Sequence, residues 1–375
     1  MAGAALRASE LTHSTRSPQL RVSVGDRILS GAFQAEVVST NHYAADRFSV
    51  TAALDGDPWA TAGFWSSEVD FRIEVLLSVS PSSGFTSLIQ GLADTVSIDP
   101  IGRVVHLAGR DHTAALIEAR TQETFANRTA SEIATLLAQR HGLIPRIVPT
   151  TTLVGRYYEG GYGKTTLDQY SRTTTEWDLL VSLARHERFD VFVRAAELHF
   201  LPTSSFGSAD RVLVPPDATR LVLHRSLTLA RDIEVTVRTW NSQKGQALVE
   251  SVRSNLSRSE VSNSGSQSRS SQHFALIRPN LSSESARRLA QQLADEVCHH
   301  ERVIEISMPG DVTLTPGSVV FFGGTDTEFD QSYYVDAIKR VIQPRSGFIQ
   351  HMSLRSSSPR SASIPGMDFG ADTGK

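Results

Sequence analysis

Residues 101–143 read IGRVVHLAGRDHTAALIEARTQETFANRTASEIATLLAQRHGL, and the reading of this stretch decides the fold. Alternation from Arg103 to Gly109 predicts a β-strand that ends in Gly109-Arg110-Asp111 and passes through Ala114 to Glu118 into a closely specified helix. Thr129 is placed to cap that helix. Its hydroxyl can accept the amide three residues on while Glu132 reaches back to the cap amide, a capping box worth about 1 kcal/mol. Ile133, Leu136, Leu137 and Arg140 then fall on one side, and Gly142 supplies a left-handed stop.

Upstream, the chain alternates like sheet. Val69, Phe71, Ile73, Val75 and Leu77 are expected on one face, with Asp70, Arg72 and Glu74 on the other. Phe48, Val50 and Ala52 repeat the pattern against Arg47, Ser49 and Thr51. Pro81-Ser82-Ser83-Gly84 predicts a turn into a strand from Leu88 to Ile98, and Asp99-Pro100-Ile101-Gly102 turns back into Arg103 to Gly109. Burying such side chains stabilises by about 1.5 to 3 kcal/mol each, so strands should dominate the fold.

Downstream the period changes. A second helix is expected from Thr175, with Asp178 repeating the cap logic and Trp177, Leu180, Leu183 and Ala184 as its apolar stripe. Strands Asp190 to Arg194 and Glu197 to Leu201 follow, which suggests a small α/β insertion between sheet regions. Sheet resumes where Ile233, Val235 and Val237 alternate with polar neighbours. From Ser254 to Ser271 nine of 18 residues are serine, too few apolar groups to offset ordering, so a flexible loop is expected. A helix capped by Ser282 or Ser283 with the stripe Ala286, Leu289, Leu293 and Val297 precedes strands at Val303 to Ser307, Ser318 to Phe322, Tyr333 to Ile342 and Gly347 to Leu354.

Three blocks in order carry a resemblance: GRD-x-TAALIEA followed by F-x-NRTASEIATLLAQRHGL, then TTTEWDLLVSLARHERFDVFV, then LTPGSVVFF followed by DQSYYVDAIKRVIQPRSGFIQHMSL. They resemble the late control protein D and Mu-type tail-hub family of contractile phage tails, relatives of the hub portion of type VI secretion spike proteins. No block is catalytic; the signal lies in their order between Ile101 and Leu354. The resemblance implies an α+β, mainly β fold, with two tail-tube-like antiparallel β-barrels and an inserted small α/β subdomain. The expected division is an arm at 1–17, a first barrel at 18–119, the insertion at 120–205, a second barrel at 206–355 carrying the loop 254–271, and a disordered tail at 356–375. The signature residues are Gly109, Arg110, Asp111, Thr129, Glu132, Trp177, Asp178, Leu180, Pro316 and Gly317.

The resemblance further implies a homotrimer whose six barrels continue a sixfold tail tube and meet a threefold spike. Partners would be the spike or needle, the tail tube or a tube-initiating protein, the tape-measure protein and other baseplate proteins. Type VI spike proteins continue into a β-helical needle, so here a separate needle protein is expected. The place implied is the virion tail baseplate, assembled in the host bacterial cytoplasm, with DNA free to pass through the lumen.

Composition fits this and narrows the alternatives. With 37 basic against 40 acidic residues the net charge is -3, which creates no field for dedicated nucleic-acid binding. The single cysteine, Cys298, cannot form an internal disulfide. No run approaches the ~18 apolar residues that span a bilayer, and MAGAALRASELTHSTR lacks an apolar leader core, so no membrane insertion is expected.

Chemical motifs are fragmentary. Gly160-Gly161-Tyr162-Gly163-Lys164-Thr165 ends like a phosphate-binding loop, but Tyr158 stands where that loop needs its first glycine. Cys298-His299-His300 offers soft ligands, yet adjacent helical side chains diverge, and a helix end explains them better than a metal. Paired carboxylates would mark the alternative function, a tail-associated peptidoglycan hydrolase. Glu159, Glu176 with Asp178, and Asp326 with Glu328 are candidates, all placed in caps and turns. Arg110 and Asp111 suit an ion pair or a turn-forming carboxylate, and Trp177 a core anchor. No cofactor is implied.

Overall fold

The computed structural model describes residues 6–7, 16–40, 43–80, 83–120, 125, 128–151, 153–154, 175–202, 209–227, 233–241, 246–254, 272–278, 281–298 and 302–356 of the 375. A short strand β1 (Leu6–Arg7) precedes β2 (Gln19–Val24), β3 (Arg27–Ile28), β4 (Ala32–Thr40) and β5 (Arg47–Ala53). Helix α1 (Ala62–Ser67) leads to β6 (Arg72–Ser78), and β7 (Thr86–Asp99) and β8 (Val104–Asp111) form a long hairpin. The sheet order is β4-β5-β8-β7-β6-β2, antiparallel throughout. One core takes Val22, Val37, Val50, Val75, Ile89 and Leu107, one from each of the six strands, so the sheet is rolled around its own interior.

Val69 departs from the expected alternation. It is 93% exposed, because the strand starts only at Arg72. The Glu68 carboxylate accepts the amides of Val69 and Asp70 at 3.0 and 3.4 Å, and this local turn wins over an extra strand residue.

The insertion follows: α2 (Thr113–Glu118), β9 (Arg128–Thr129), α3 (Ala130–Arg140), β10 (Ile144–Ile147), β11 (Leu153–Val154), α4 (Glu176–Glu187), β12 (Phe189–Arg194) and β13 (Glu197–Pro202). Its sheet, β10-β13-β12, and its helices enclose a core holding Ile133, Leu137, Leu180, Leu183 and Phe200. Both capping boxes form, Thr129 with Glu132 and Thr175 with Asp178, and Gly142 takes φ +68° at the helix end.

β14 (Arg211–Leu213) and β15 (Arg220–Arg225) open the second barrel. Three strands, β16 (Ile233–Asn241), β17 (Gln246–Ser254) and β18 (Gln272–Ile277), and helix α5 (Ser283–Cys298) come next. The expected second barrel, 206–355, includes this stretch, with sheet expected from Ile233 and no strand expected at β17 or β18. The three strands form a separate sheet, β17-β16-β18, covered by α5. Ala286, Ala290 and Ala294 are fully buried and lie along the contact line, with Leu289, Leu293 and Val297 flanking them. Alanine at four-residue spacing lets the helix lie close on the inward Ile233, Val235 and Val237, which is why this face turns to the helix. Ser282 provides the cap, accepting the Ser285 amide at 3.2 Å. The serine-rich residues 255–271, the segment 155–174 and the tail 357–375 lie outside the described residues.

β19 (Arg302–Pro309), β20 (Val319–Phe322), β21 (Gln331–Gln343) and β22 (Gly347–Ser356) complete the second barrel, ordered β15-β19-β22-β21-β20-β14. Leu213, Ile304, Val320, Val335 and Leu354 share its core, with Leu221 packed against it. Counting strands one to six within each barrel and omitting the two-residue β3, both sheets run 2-3-6-5-4-1. The chain thus contains one strand order twice, with one difference of direction: β14 runs parallel to β20 where β2 runs antiparallel to β6. The copies are joined edge to edge, since β21 pairs with β20 through residues 331–334 and with β4 of the first barrel through residues 337–342. The molecule is α+β and mainly β. Among the described residues no helix is long and apolar enough to cross a membrane.

Candidate functional site

The first barrel, the insertion and the second barrel meet at one cavity of about 280 Å3. Its lining draws on all three sequence blocks, Asp111 and Thr113 from the first, Trp177 and Phe192 from the second, Pro316 and Arg340 from the third, and on Arg194 just past the second. Asp111 is buried at the end of β8 and takes the Thr113 amide and hydroxyl on its two oxygens, at 3.1 and 3.0 Å. This turn starts α2. Asp46, in the β4–β5 connection, accepts the Thr40 amide at 2.9 Å, and its carbonyl accepts the Asp111 amide at 3.0 Å.

Trp177 is buried in the first turn of α4 and donates its indole N–H to the Tyr43 carbonyl at 3.2 Å, which anchors the insertion to the first barrel. Arg340 is buried in the half of β21 that pairs with β4 and donates to the carbonyls of Asp311 and Leu314. It thereby holds the loop that leads to Pro316 and Gly317. Gly317 adopts φ +88°, and its amide donates to the Val335 carbonyl at 2.8 Å.

The electrostatics follow from burial. Burial pushes the Asp111 carboxyl up to about 7, and the nearby Asp46 charge adds to this. Asp46 is raised by burial too, against lowering by its hydrogen bonds and the charges of Arg194 and Arg340. Burial brings Arg340 down to about 10, opposed by Asp46. The oxygens of both aspartates are committed to backbone and hydroxyl donors, so this is an acid–base cluster that holds three units together.

The remaining signature residues have other local roles. Arg110 points outward and forks between Asp94 at 2.7 Å and Glu118 at 2.5 Å, which raises its pKa. Gly109 is required for space: a Cβ there would sit 2.1 Å from the Leu92 carbonyl oxygen and 2.6 Å from the Phe48 ring. Thr129, Glu132 and Asp178 cap helices, and Leu180 is fully buried in the insertion core.

Among the carboxylates considered for glycan cleavage, those of Glu176, Asp178 and Glu328 are occupied. Glu176 is buried and lies 2.5 Å from both Arg140 and His141. Glu328 pairs with Arg302 at 2.5 Å, and the Asp326 amide donates to Asp330. Glu159, the glycine-rich Gly160 to Thr165, His299 and His300 lie outside the described residues. Among the described residues, no group of three His, Cys, Asp or Glu side chains could hold a metal ion.

Sequence reasoning had not singled out Asp46, Tyr43 or Arg340. A signal existed for Arg340, which takes an inward position between Ile338 and Ile342 in an otherwise apolar alternation. Nothing local marks Asp46 or Tyr43.

No family model matches the sequence, and no curated protein does. Solved structures do match in fold. The tail protein from Neisseria meningitidis MC58 superposes with a TM-score of 0.66 at 13% identity, over 91% of this chain and 97% of that one. The 43 kDa tail protein of prophage MuSo2 from Shewanella oneidensis gives 0.63 at 13% identity, over 92% and 98%. An Escherichia coli component of the type VI secretion system, described as structurally similar to the bacteriophage T4 tail proteins gp27 and gp5, gives 0.51 at 10% identity, over 92% and 78%. Over nine-tenths of its length, this chain has the fold of these tail and type VI secretion proteins.

Proposed function

We propose that this chain is a structural hub protein in the baseplate of a contractile phage tail or a related injection particle. Three copies form a ring of six similar barrels that joins a sixfold tail tube to a threefold central spike. The observation that carries this reading is the doubled strand order: two barrels whose strands run in the same order, already seamed side by side through β21 and β4. A chain built in this way supplies two neighbouring sixths of a ring wall, and three copies supply the whole.

On this reading the work is mechanical and no reaction is catalysed. The buried cluster at Asp46, Asp111 and Arg340 fixes the insertion against the seam. The partners are a spike or needle protein on one side and the tube, tube-initiating or tape-measure protein on the other, with further baseplate proteins around them. DNA crosses the lumen without specific recognition, and the site of action is the virion tail, after assembly in the host cytoplasm.

Light scattering of the purified chain, alone or with its neighbouring tail proteins, tests the reading. The expected mass is three times the 40.9 kDa of one chain. A chain that stays monomeric in both conditions overturns it. A zymogram on peptidoglycan should show no clearing.

A further inference from the structure

The duplication extends to single residues, and it identifies a pair of strands that await each other. In the β7–β8 hairpin the register slips between Ala93 and Thr95, leaving Asp94 as the extra residue of a bulge. In the β21–β22 hairpin it slips between Val335 and Ala337, leaving Asp336. Each bulge aspartate pairs with an arginine on the neighbouring strand, Asp94 with Arg110 and Asp336 with Arg355. Ala93 pairs with Gly109 and Val335 with Leu354, so the two hairpins align without ambiguity.

Beyond its bulge β21 has a second partner. Ala337 to Ile342 pair antiparallel with Thr40 to Ala35 of β4, the second strand of the first barrel. The equivalent stretch of β7, Thr95 to Asp99, pairs only with β8 among the described residues. The equivalent of β4 in the second barrel is β15, whose strand partner among the described residues is β19. Burial follows the same division. Ala35 and Val37 on β4 and Ile338 on β21 are fully buried. Their equivalents Leu221, Leu223 and Val96 remain partly exposed.

We infer that β15 of one copy pairs antiparallel with β7 of a second copy, repeating between subunits the seam that β4 and β21 make within one. This inference rests on the hub reading and assigns its subunit contact. Carrying over the internal register places Val96 opposite Arg225, Ser97 opposite His224, Ile98 opposite Leu223 and Asp99 opposite Val222. The charges suit the pairing: Asp99 stands diagonal to Arg220 and His224 on the outer face, where Lys339 and Glu36 form the diagonal pair of the internal seam at 2.7 Å. An edge strand and its acceptor on opposite ends of one chain make a head-to-tail contact, which closes into a ring when its rotation matches that of the internal seam.

Cysteine pairing tests the register. Ser97 and His224 are both exposed and face outward, so the S97C/H224C variant should retain the parent's melting temperature under reduction. On mild oxidation it should give a covalent trimer on a non-reducing gel. A mixture of S97C and H224C chains should give covalent dimers, and neither single variant alone should form them, which controls for Cys298. The S97C/R220C variant, displaced by four residues, should not cross-link.

A second measurement needs no substitution. Amide exchange in the parent chain should slow at residues 95–99 and 221–225 on passing from dilute monomer to trimer. A trimer by light scattering with neither cross-link nor protection overturns this contact and leaves the hub reading standing. A chain that stays monomeric beside its tail partners overturns both.

Discussion

The indole Nε1 of Trp177 lies 3.2 Å from the Tyr43 carbonyl oxygen, a contact that spans 134 residues and ties the insertion to the first barrel. Trp177→Phe keeps most of the buried ring and loses one hydrogen bond, so it should cost about 1 kcal/mol. Trp177→Ala also opens a cavity and should cost about 3 to 5 kcal/mol. Urea unfolding followed by circular dichroism separates the two, and equal losses would show that the hydrogen bond, rather than the ring, anchors the insertion.

Asp111 holds its proton near pH 7 in the folded chain and near the ordinary carboxylate value of ~3.9 when unfolded. Its contribution to stability is therefore complete below about pH 4 and is lost as the pH rises through about 7. Asp111→Asn keeps an acceptor for the Thr113 amide and carries no charge. It should melt above the parent at pH 8, by on the order of 1 to 2 kcal/mol, and converge with it near pH 4. Parallel melting curves at all pH values would show that the Asp111 charge is not under strain.

Gly109→Ala should destabilise the first barrel by about 3 kcal/mol or more, because backbone and the Phe48 ring occupy the space of the new methyl group. The equivalent position in the second barrel is Leu354, fully buried in its core. Leu354→Ala should cost about 2 to 5 kcal/mol through the opposite defect, a cavity. Denaturant midpoints for the two variants test both directions.

Arg211 and Asp311 form a buried ion pair at 4% and 5% residue exposure. Asp311 also takes the Thr313 amide at 2.8 Å, which starts the loop toward Pro316. Arg211→Met strands the carboxylate and should cost about 3 to 5 kcal/mol. Adding Asp311→Asn keeps the Thr313 acceptor, removes the stranded charge, and should recover more than half of that loss. A double variant no better than the single one would show that Arg211 acts through packing alone.

Thr129→Ala removes one half of a capping box and should cost about 1 kcal/mol, read as a fall in the urea midpoint with unchanged slope. A drop of about 3 kcal/mol or more would mean that Thr129 also holds Ser131, whose hydroxyl accepts the Thr150 amide at 3.0 Å.

The sequence by itself determined whatever depends on neighbours along the chain. The caps at Thr129 and Thr175, the stop at Gly142, the inward faces of β5 and β6 and the two long hairpins were legible because each rests on residues a few positions apart. Val69 escaped because a turn at Glu68 ended the alternation before the strand began, whereas the expected stripe of α5 does pack on its sheet, joined there by Ala290 and Ala294.

Only the tertiary structure decided the seam, the cavity and the repeat. Gly91 and Gly109 flank one bulge where Tyr333 and Leu354 flank its equivalent, so the two hairpins share a backbone and almost no side chains. A bulge is a slip of register against a partner strand, and no sequence period records it. Asp46 and Arg340 come together only after strands nearly 300 residues apart have paired, and burial there raises the pKa of the one and lowers that of the other.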